Sequence, residues 1–302
     1  MRFHFHSCVF LQPSMPKIYL LTTESDPVAN AVDKLLAGTT GYRRLMPGEV
    51  EHFRVESGDV FIAGDSTFDS EPDIEFSEGM MIQFLGCNPS QDVVGRFLES
   101  DSTVAGISPV IAPRVANRAA GFGGPLRVKP GSKWGLVGLG EVGSEVARKL
   151  IALGSTVEIA DQRTPRSGLL AELNVRRLSL DLLIAGSDAV SLHLHAGPTA
   201  APLIEERELN LMKSGAVLIN TSHSSIVDED AVIRSLEDGP LGGYATDRPG
   251  EVILGADESL TSSGQLFVTT NLLTNQIGAA QQIAKYVAAN IEAFADGGGV
   301  QG

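Results

Sequence analysis

The sequence predicts an α/β protein built on parallel sheets, and three observations carry that prediction. Short apolar runs alternate with amphipathic stretches from residue 17 almost to the end of the chain. A glycine-spaced turn stands near the middle, between a strand-like run and a helix-like one. No internal repeat interrupts the alternation, and only the tail after Asp296 is Gly-rich. At 302 residues the chain is long enough for two domains with substantial cores.

Taken in order, the stretch MRFHFHSCVFLQPSMP carries one Arg and too few consecutive apolar residues for a signal peptide. Residues 1–14 therefore read as a disordered leader, and His4 and His6 as part of an irregular terminus rather than metal ligands. The fold is expected to begin near Met15. Residues 17–21 read as a strand, 27–36 as a helix, and 59–63 and 80–85 as further buried strands. A short helix at 90–98 and a strand at 103–107 follow. The stretch 120–133, AGFGGPLRVKPGSK, is rich in Gly and Pro and reads as a linker or surface loop.

The central stretch is WGLVGLGEVGSEVARKLIALGSTVEIAD, residues 134–161. Its apolar opening, Trp134 to Val137, has the length of a buried parallel strand. Gly138, Gly140 and Gly143 then stand in G-x-G-x-x-G spacing. Val142, Val146, Ala147, Leu150 and Ile151 recur at helical spacing until Gly154 stops the helix. A second apolar run, Thr156 to Ala160, ends in Asp161. This is the context in which a dinucleotide binds. Gly138 permits the tight turn, Gly140 lets the backbone approach the pyrophosphate, and Gly143 allows close helix–strand packing. The helix N-terminus offers unpaired N–H groups and a positive dipole end to the phosphates. Asp161 is placed to accept hydrogen bonds from the ribose hydroxyls, and its charge favours NAD over NADP. Arg163, two residues on, is the opposing signal, and it is weighted below Asp161.

Beyond Asp161 the alternation continues. Helices are expected at 168–173, 181–185, 205–212 and 229–236, and strands at 175–178, 189–194, 216–220, 242–246 and 266–269. A long helix over 278–294 closes the chain, with apolar positions suited to packing back on the first domain.

Formal charge is 23 − 37 = −14, without long like-charge runs, which argues against nucleic acid and anionic membranes as partners. No apolar run approaches the length of a transmembrane helix. Two cysteines, Cys8 and Cys87, are too few for a disulfide framework and fit a reducing, cytoplasmic setting.

Three later segments narrow the reading: SDAVSLHLHAGPTAAPLI (187–204), LMKSGAVLINTSHSSIVDEDAVIRSLEDGPLGGYATD (211–247) and TNLLTNQIGAA (270–280). With the glycine motif they resemble the D-isomer-specific 2-hydroxyacid dehydrogenase family, well over 134–280 and loosely over 80–120. The resemblance implies a Rossmann-type NAD-binding domain at 109–277 and a flavodoxin-like substrate domain built from both chain ends, 15–108 and 278–302. Cofactor contacts would be the backbone at Glu141 and Val142, the side chain of Asp161, the loop at His195, residues Thr221 and Ser222, and Asp247 near the nicotinamide amide. His193 matches a common family histidine but is read as a satisfied side chain at a strand end. Gly86, Cys87 and Asn88 stand where the family offers backbone N–H groups to the substrate carboxylate. Between Pro113 and Trp134 the chain is too short for the family's dimer-building arm, so a monomer, or a dimer through another surface, is expected.

The departures fall on the catalytic groups. In the family, N-T-A-R-G-G supplies an Arg that clamps the substrate carboxylate; this chain has Asn220-Thr221-Ser222-His223-Ser224-Ser225. The family's T-P-H-I-G-G supplies the proton-exchanging His, and Gln276 stands there. The acid that orients that His is best matched by Glu251, after a one-residue deletion following Asp247. Neither His nor Gln imitates a bidentate Arg–carboxylate pair, and Gln does not titrate near neutrality. Losing an acid–base group worth about 10²–10⁴-fold and a charged hydrogen bond worth about 1.5–3 kcal/mol changes the chemistry. Three readings follow: an NAD-dependent oxidoreductase on a small hydroxy- or keto-acid-like substrate with a rebuilt catalytic set, a protein that binds NAD(H) without turnover, and a non-redox enzyme on the same fold. In the first, His223 carries the proton, Glu251 pairs with it and raises its pKa, and Gln276 only hydrogen-bonds substrate.

Overall fold

A computed structural model of the chain describes residues 15–22, 26–64, 74–85, 91–165, 168–194, 201–269 and 278–300. The leader expected at 1–14 lies outside them. Two compact units emerge: Met1–Ile107 with Gln281–Gly302, and Ser108–Ala280.

The first unit carries β1 (Ile18–Leu21), α1 (Pro27–Leu36), β2 (Tyr42–Leu45), β3 (Phe53–Val55), β4 (Val60–Ala63), β5 (Ile74–Phe76), β6 (Met81–Phe84), α2 (Gln91–Glu99) and β7 (Thr103–Ala105). Its main sheet runs β2-β1-β4-β6-β7, every pairing parallel, with β3 and β5 paired apart. Leaving out that pair, this is the flavodoxin-like order 2-1-3-4-5. The central strands are buried along their whole length, as parallel strands covered on both faces must be. The start of α1 is set by Asp26, whose carboxylate accepts from the N–H groups of Val28 and Ala29, with Pro27 pre-set at the first helical position. Phe61, Ile82 and Phe84 fill the core, and Phe97 of α2 stands edge-on to Phe76 at 4.9 Å.

One polar contact in this core reaches far along the chain. Nδ2 of Asn290, in the C-terminal helix (Ala279–Ala295), donates to Oε1 of Gln83 in β6 at 3.0 Å, with both side chains buried. Each amide satisfies a group that would otherwise cost about 1–3 kcal/mol to bury.

The strands β3 (FRV) and β5 (IEF) alternate apolar and charged residues over only 3 positions each, too short a run to read as a strand. β2 is an edge strand with charge at its centre, YRRL. Asp33 of α1 holds it, accepting from Tyr42 Oη at 2.6 Å and Arg44 Nη1 at 2.9 Å.

The second unit carries α3 (Ser108–Phe122), β8 (Lys133–Val137), α4 (Glu141–Ala152), β9 (Thr156–Ala160), α5 (Leu169–Leu173), β10 (Arg176–Arg177), α6 (Leu180–Gly186), β11 (Ala189–Leu192), α7 (Glu206–Leu211), β12 (Val217–Asn220), α8 (Glu229–Glu237), β13 (Gly243–Thr246), α9 (Glu251–Leu254), α10 (Glu258–Ser262) and β14 (Leu266–Val268). All seven strands are parallel, in the order β10-β9-β8-β11-β12-β13-β14. The first six strands follow the doubly wound order 3-2-1-4-5-6, and β14 extends it. Strand alternation divides two cores. Val190, Leu218 and Tyr244 face one side, and Ala189, Val217, Ile219 and Ala245 the other. The expected loop at 120–133 begins inside a helix, because Ala116, Ala119 and Phe122 bury on the second core and carry α3 to Phe122. There Phe122 meets Phe267 edge-on at 5.7 Å.

Candidate functional site

Six of the seven strands of the second unit end flush, and β10 stops one pair earlier, with Arg177 opposite Ile159. Val137 pairs with Ala160 and Leu192, Leu192 with Asn220, Asn220 with Thr246, and Thr246 with Val268. The next residues, Gly138, Asp161, His193, Thr221, Asp247 and Thr269, therefore form one row at the carboxyl edge of the sheet. The strand order reverses between β8 and β11, and doubly wound sheets bind their ligands outside such a point.

The glycine turn is built for its three roles. Gly138 has φ +98°, and a Cβ there would collide with the carbonyl oxygen of His193. A Cβ on Gly143 would collide with the carbonyl oxygen of Gly138. A Cβ on Gly140 would meet nothing within 4 Å, so only a ligand's approach requires that position to be bare. No side chain caps the start of α4, which leaves the first N–H groups of the helix, at Glu141 and Val142, to face an anion. Glu141 is exposed and points away from the core.

At the end of β9, Oδ2 of Asp161 accepts the N–H of Leu139 at 2.8 Å, and Oδ1 accepts the N–H of Arg163 at 2.9 Å. A carboxylate has about four acceptor positions, so two remain for ribose hydroxyls. Arg177 of β10 donates Nε and Nη2 to the carbonyl oxygen of Asp161, at 3.0 and 2.6 Å.

Between β11 and β12 the expected loop residues divide by role. Ser222 is buried; its hydroxyl donates to the Leu192 carbonyl at 3.1 Å and accepts the Leu194 N–H at 2.8 Å. That side chain is committed to holding two strand ends together. Thr221 Oγ1 lies 3.3 Å from Nδ1 of His193. Nε2 of His193 is buried with no hydrogen-bond partner among the described residues, and burial pushes the ring down to about 3. His193 thus differs from the satisfied histidine that the sequence suggests: it is neutral, with one nitrogen unengaged.

His223 caps a short 3-10 turn, Ser224–Ile226. Its Nδ1 accepts the Ser225 N–H at 3.1 Å and lies 3.0 Å from Ser225 Oγ. An Nδ1 that accepts cannot carry the hydrogen, so the neutral ring holds it on Nε2. Asn220 Nδ2 donates to the carbonyl oxygen of His223 at 3.2 Å and fixes the loop from beneath. Partial burial and the Arg248 guanidinium hold the His223 pKa below its ordinary value. This is opposite in sign to the effect expected from Glu251. Glu251 begins α9, is exposed, and makes no hydrogen bond or ion pair through its carboxylate among the described residues. A pairing with His223 is not seen there.

Asp247 is buried at the end of β13. Its Oδ2 lies 3.8 Å from Nε of Arg118, and Arg118 Nη1 also donates to Thr269 Oγ1 at 3.0 Å. Oδ1 is buried without a partner among the described residues. Burial raises this carboxyl's pKa, against the pull of Arg118 and Arg248. Arg118 and Arg248 are site residues that sequence reading missed. Arg248 is half-buried in a loop pinned at both ends: its N–H donates to Thr246 Oγ1 at 3.1 Å, and the Gly250 N–H to Glu229 Oε1 at 2.7 Å. Gly86, Cys87, Asn88, His195 and Gln276 lie outside the described residues.

These residues fit NAD. The open face at Gly140, the uncapped helix start, the free acceptor positions on Asp161 and the unpartnered Oδ1 of Asp247 match pyrophosphate, ribose and an amide donor in turn. Among the described residues no helix is long and apolar enough to cross a membrane, and no cluster of three His, Cys, Asp or Glu could hold a metal ion.

Comparison with known proteins agrees. Residues 125–271 match the model of the D-isomer specific 2-hydroxyacid dehydrogenase, NAD binding domain. The glycerate dehydrogenase of Methylorubrum extorquens is 31% identical over 183 residues, covering 58% of this chain and 54% of that protein. The glyoxylate reductase of Thermococcus litoralis is 32% identical over 173 residues, covering 55% of this chain and 50% of that protein. The chain thus spans about half the length of the curated relatives it matches. The fold is shared with the crystal structure of a glyoxylate reductase from Paecilomyes thermophila, at a TM-score of 0.67 and 17% identity, over 95% of this chain and 98% of that one. The Rossmann sheet and open glycine turn thus lie within residues 125–271, the segment similar to the NAD binding domain of the D-isomer specific 2-hydroxyacid dehydrogenases.

Proposed function

We propose that the protein is an NAD-dependent oxidoreductase acting on a small hydroxy- or keto-acid-like substrate, with a catalytic set rebuilt around His223. The observation that carries this reading is the row of flush strand ends, which brings the glycine turn, Asp161, His223 and Asp247 to one edge of one sheet. The backbone of Glu141 and Val142 would hold the pyrophosphate, Asp161 the ribose, and Asp247 Oδ1 the nicotinamide amide. When bound, NAD supplies hydride exchange with a carbon–oxygen bond. His223 offers Nε2–H to a substrate oxygen and polarises it as a neutral donor, a type of contact worth about 10²–10³-fold, while the proton that accompanies the hydride is exchanged at that oxygen with solvent water. The first unit is assigned the substrate-binding role, with the loop at Gly86, Cys87 and Asn88. Gln276 is assigned a hydrogen bond to substrate.

A second reading, NAD(H) binding without turnover, is favoured by the same tautomer. A ring whose Nδ1 is already engaged, beside a guanidinium, holds no spare proton near neutrality. One spectroscopic experiment decides between them. NADH fluorescence on titration reports binding, and loss of near-ultraviolet absorbance with a panel of keto acids and aldehydes reports turnover. Binding with no turnover across the panel selects the second reading; no binding removes both.

A further inference from the structure

Arg248 has no place in the roles assigned so far. It follows Asp247 at the end of β13, its guanidinium makes no ion pair among the described residues, and its loop is anchored on both sides. The adjacent strand, β12, ends in register with β13, Asn220 opposite Thr246. His223 lies three positions past Asn220 and Arg248 two past Thr246, so the two loops rise side by side from neighbouring strands. The guanidinium is close enough to disfavour protonation of the His223 ring. A half-buried guanidinium that makes no close ion pair among the described residues, on a braced loop beside a neutral N–H donor, is an arrangement that an anion completes.

We infer that Arg248 is the substrate-carboxylate clamp of this protein, with the Nε2–H of His223 directed at the neighbouring substrate oxygen. This deepens the proposed function and rests on its small-acid substrate. It moves the guanidinium from the β12 loop, where the family sequence carries it, to the β13 loop. The anion's charge then offsets Arg248, and the fork of N–H groups fixes the orientation of the acid.

Two measurements with oxamate, a carboxylate bearing an adjacent carbonyl, test the inference. In the first, oxamate is titrated by calorimetry into the NADH-loaded protein and its R248Q and R248K variants. R248Q is expected to weaken oxamate by roughly tenfold to a hundredfold, the loss of one charge-assisted contact. R248K should fall between, and NADH affinity should stay within about twofold, since Arg248 is given no cofactor contact. Unchanged oxamate affinity in R248Q, or no oxamate binding by the unmodified protein, overturns the clamp while retained NADH binding leaves the cofactor reading intact. In the second, the ring resonances of His223 are followed by NMR without cofactor, assigned by their loss in H223N. Oxamate should shift them in the unmodified protein and not in R248Q. A shift that survives R248Q, or none at all, overturns the clamp. Failure to bind NADH would sink the proposed function alone, and the ring shift would then decide the clamp by itself.

Discussion

The backbone N–H of Ser225 donates to Nδ1 of His223 at 3.1 Å, and this bond decides what the imidazole can do. It leaves Nε2–H as the ring's outward donor and makes a second proton unfavourable. Once a substrate is found, H223A should lower kcat by about 10²–10³-fold, and Gln276→Ala by much less. Because the pKa of His223 lies below its ordinary value, the neutral, active ring should persist to a lower pH than an ordinary histidine would allow. Activity should then fail only on further acidification. A kcat/KM profile with its acid limb at or above the ordinary histidine pKa would refute this, and equal small losses from both variants would make His223 filler.

His193 links the site to acid stability. Its ring is pushed down to about 3, so the folded protein refuses a proton that the unfolded chain binds near 6.5. The stabilising contribution is full above the unfolded pKa and is lost as pH drops through that window. At about 1.4 kcal/mol per pH unit, roughly 2 kcal/mol should disappear between pH 6.5 and about pH 5. Urea denaturation at the two pH values measures it, and H193N should flatten the dependence. An unchanged slope in that variant would place the proton elsewhere.

Gly140 and Gly143 should separate under substitution. Gly143→Ala drives a methyl into the Gly138 carbonyl and should destabilise the fold by about 1–3 kcal/mol or more. Gly140→Ala meets open space at φ −73° and should leave Tm nearly unchanged while NADH affinity falls. Thermal melts paired with NADH fluorescence check both; normal NADH affinity in Gly140→Ala would mean that the pyrophosphate lies elsewhere.

Asp161→Ala should weaken NAD by about 1.5–3 kcal/mol, the scale of a charge-assisted hydrogen bond. Asn in its place should recover part of that loss by keeping an acceptor for the Leu139 N–H. The unmodified protein should bind NADH more tightly than NADPH, despite Arg163 and Arg177 nearby. Tighter NADPH binding would reverse the assignment.

Assembly is tested by sedimentation. From the end of α3 at Phe122 only a short turn leads to β8 at Lys133, with no room for an extended arm. A monomer, or a dimer through another surface, is expected, and an arm-exchanged dimer would contradict it.

The sheets were legible in the sequence because buried parallel strands are short apolar runs, and the glycine turn dated the crossover between β8 and α4. Asp161 was legible for the same reason: the dinucleotide motif fixes its distance from the turn. The edge strand β2 was not, since Tyr42, Arg43 and Arg44 owe their extended form to Asp33 and β1 rather than to an apolar pattern. Nor was Arg248. Only the pairing of Asn220 with Thr246 sets it beside His223, and register between strands is a tertiary property that a linear reading does not contain. The tautomer of His223 depends on one turn of backbone, which is equally invisible in composition or spacing.

The bond from Asn290 to Gln83 spans 207 positions of the chain, and this gives the protein a birth order. At roughly 5–20 residues per second of synthesis, Gln83 emerges some ten to forty seconds before its partner exists. Ser108–Ala280 is contiguous and can close during that interval. The strands around β6 must wait for the helix Ala279–Ala295 before Gln83 gains its buried partner. During translation the sheet around β6 is therefore made long before it matures, and Gln83 is left with an unmet buried acceptor until Asn290 arrives.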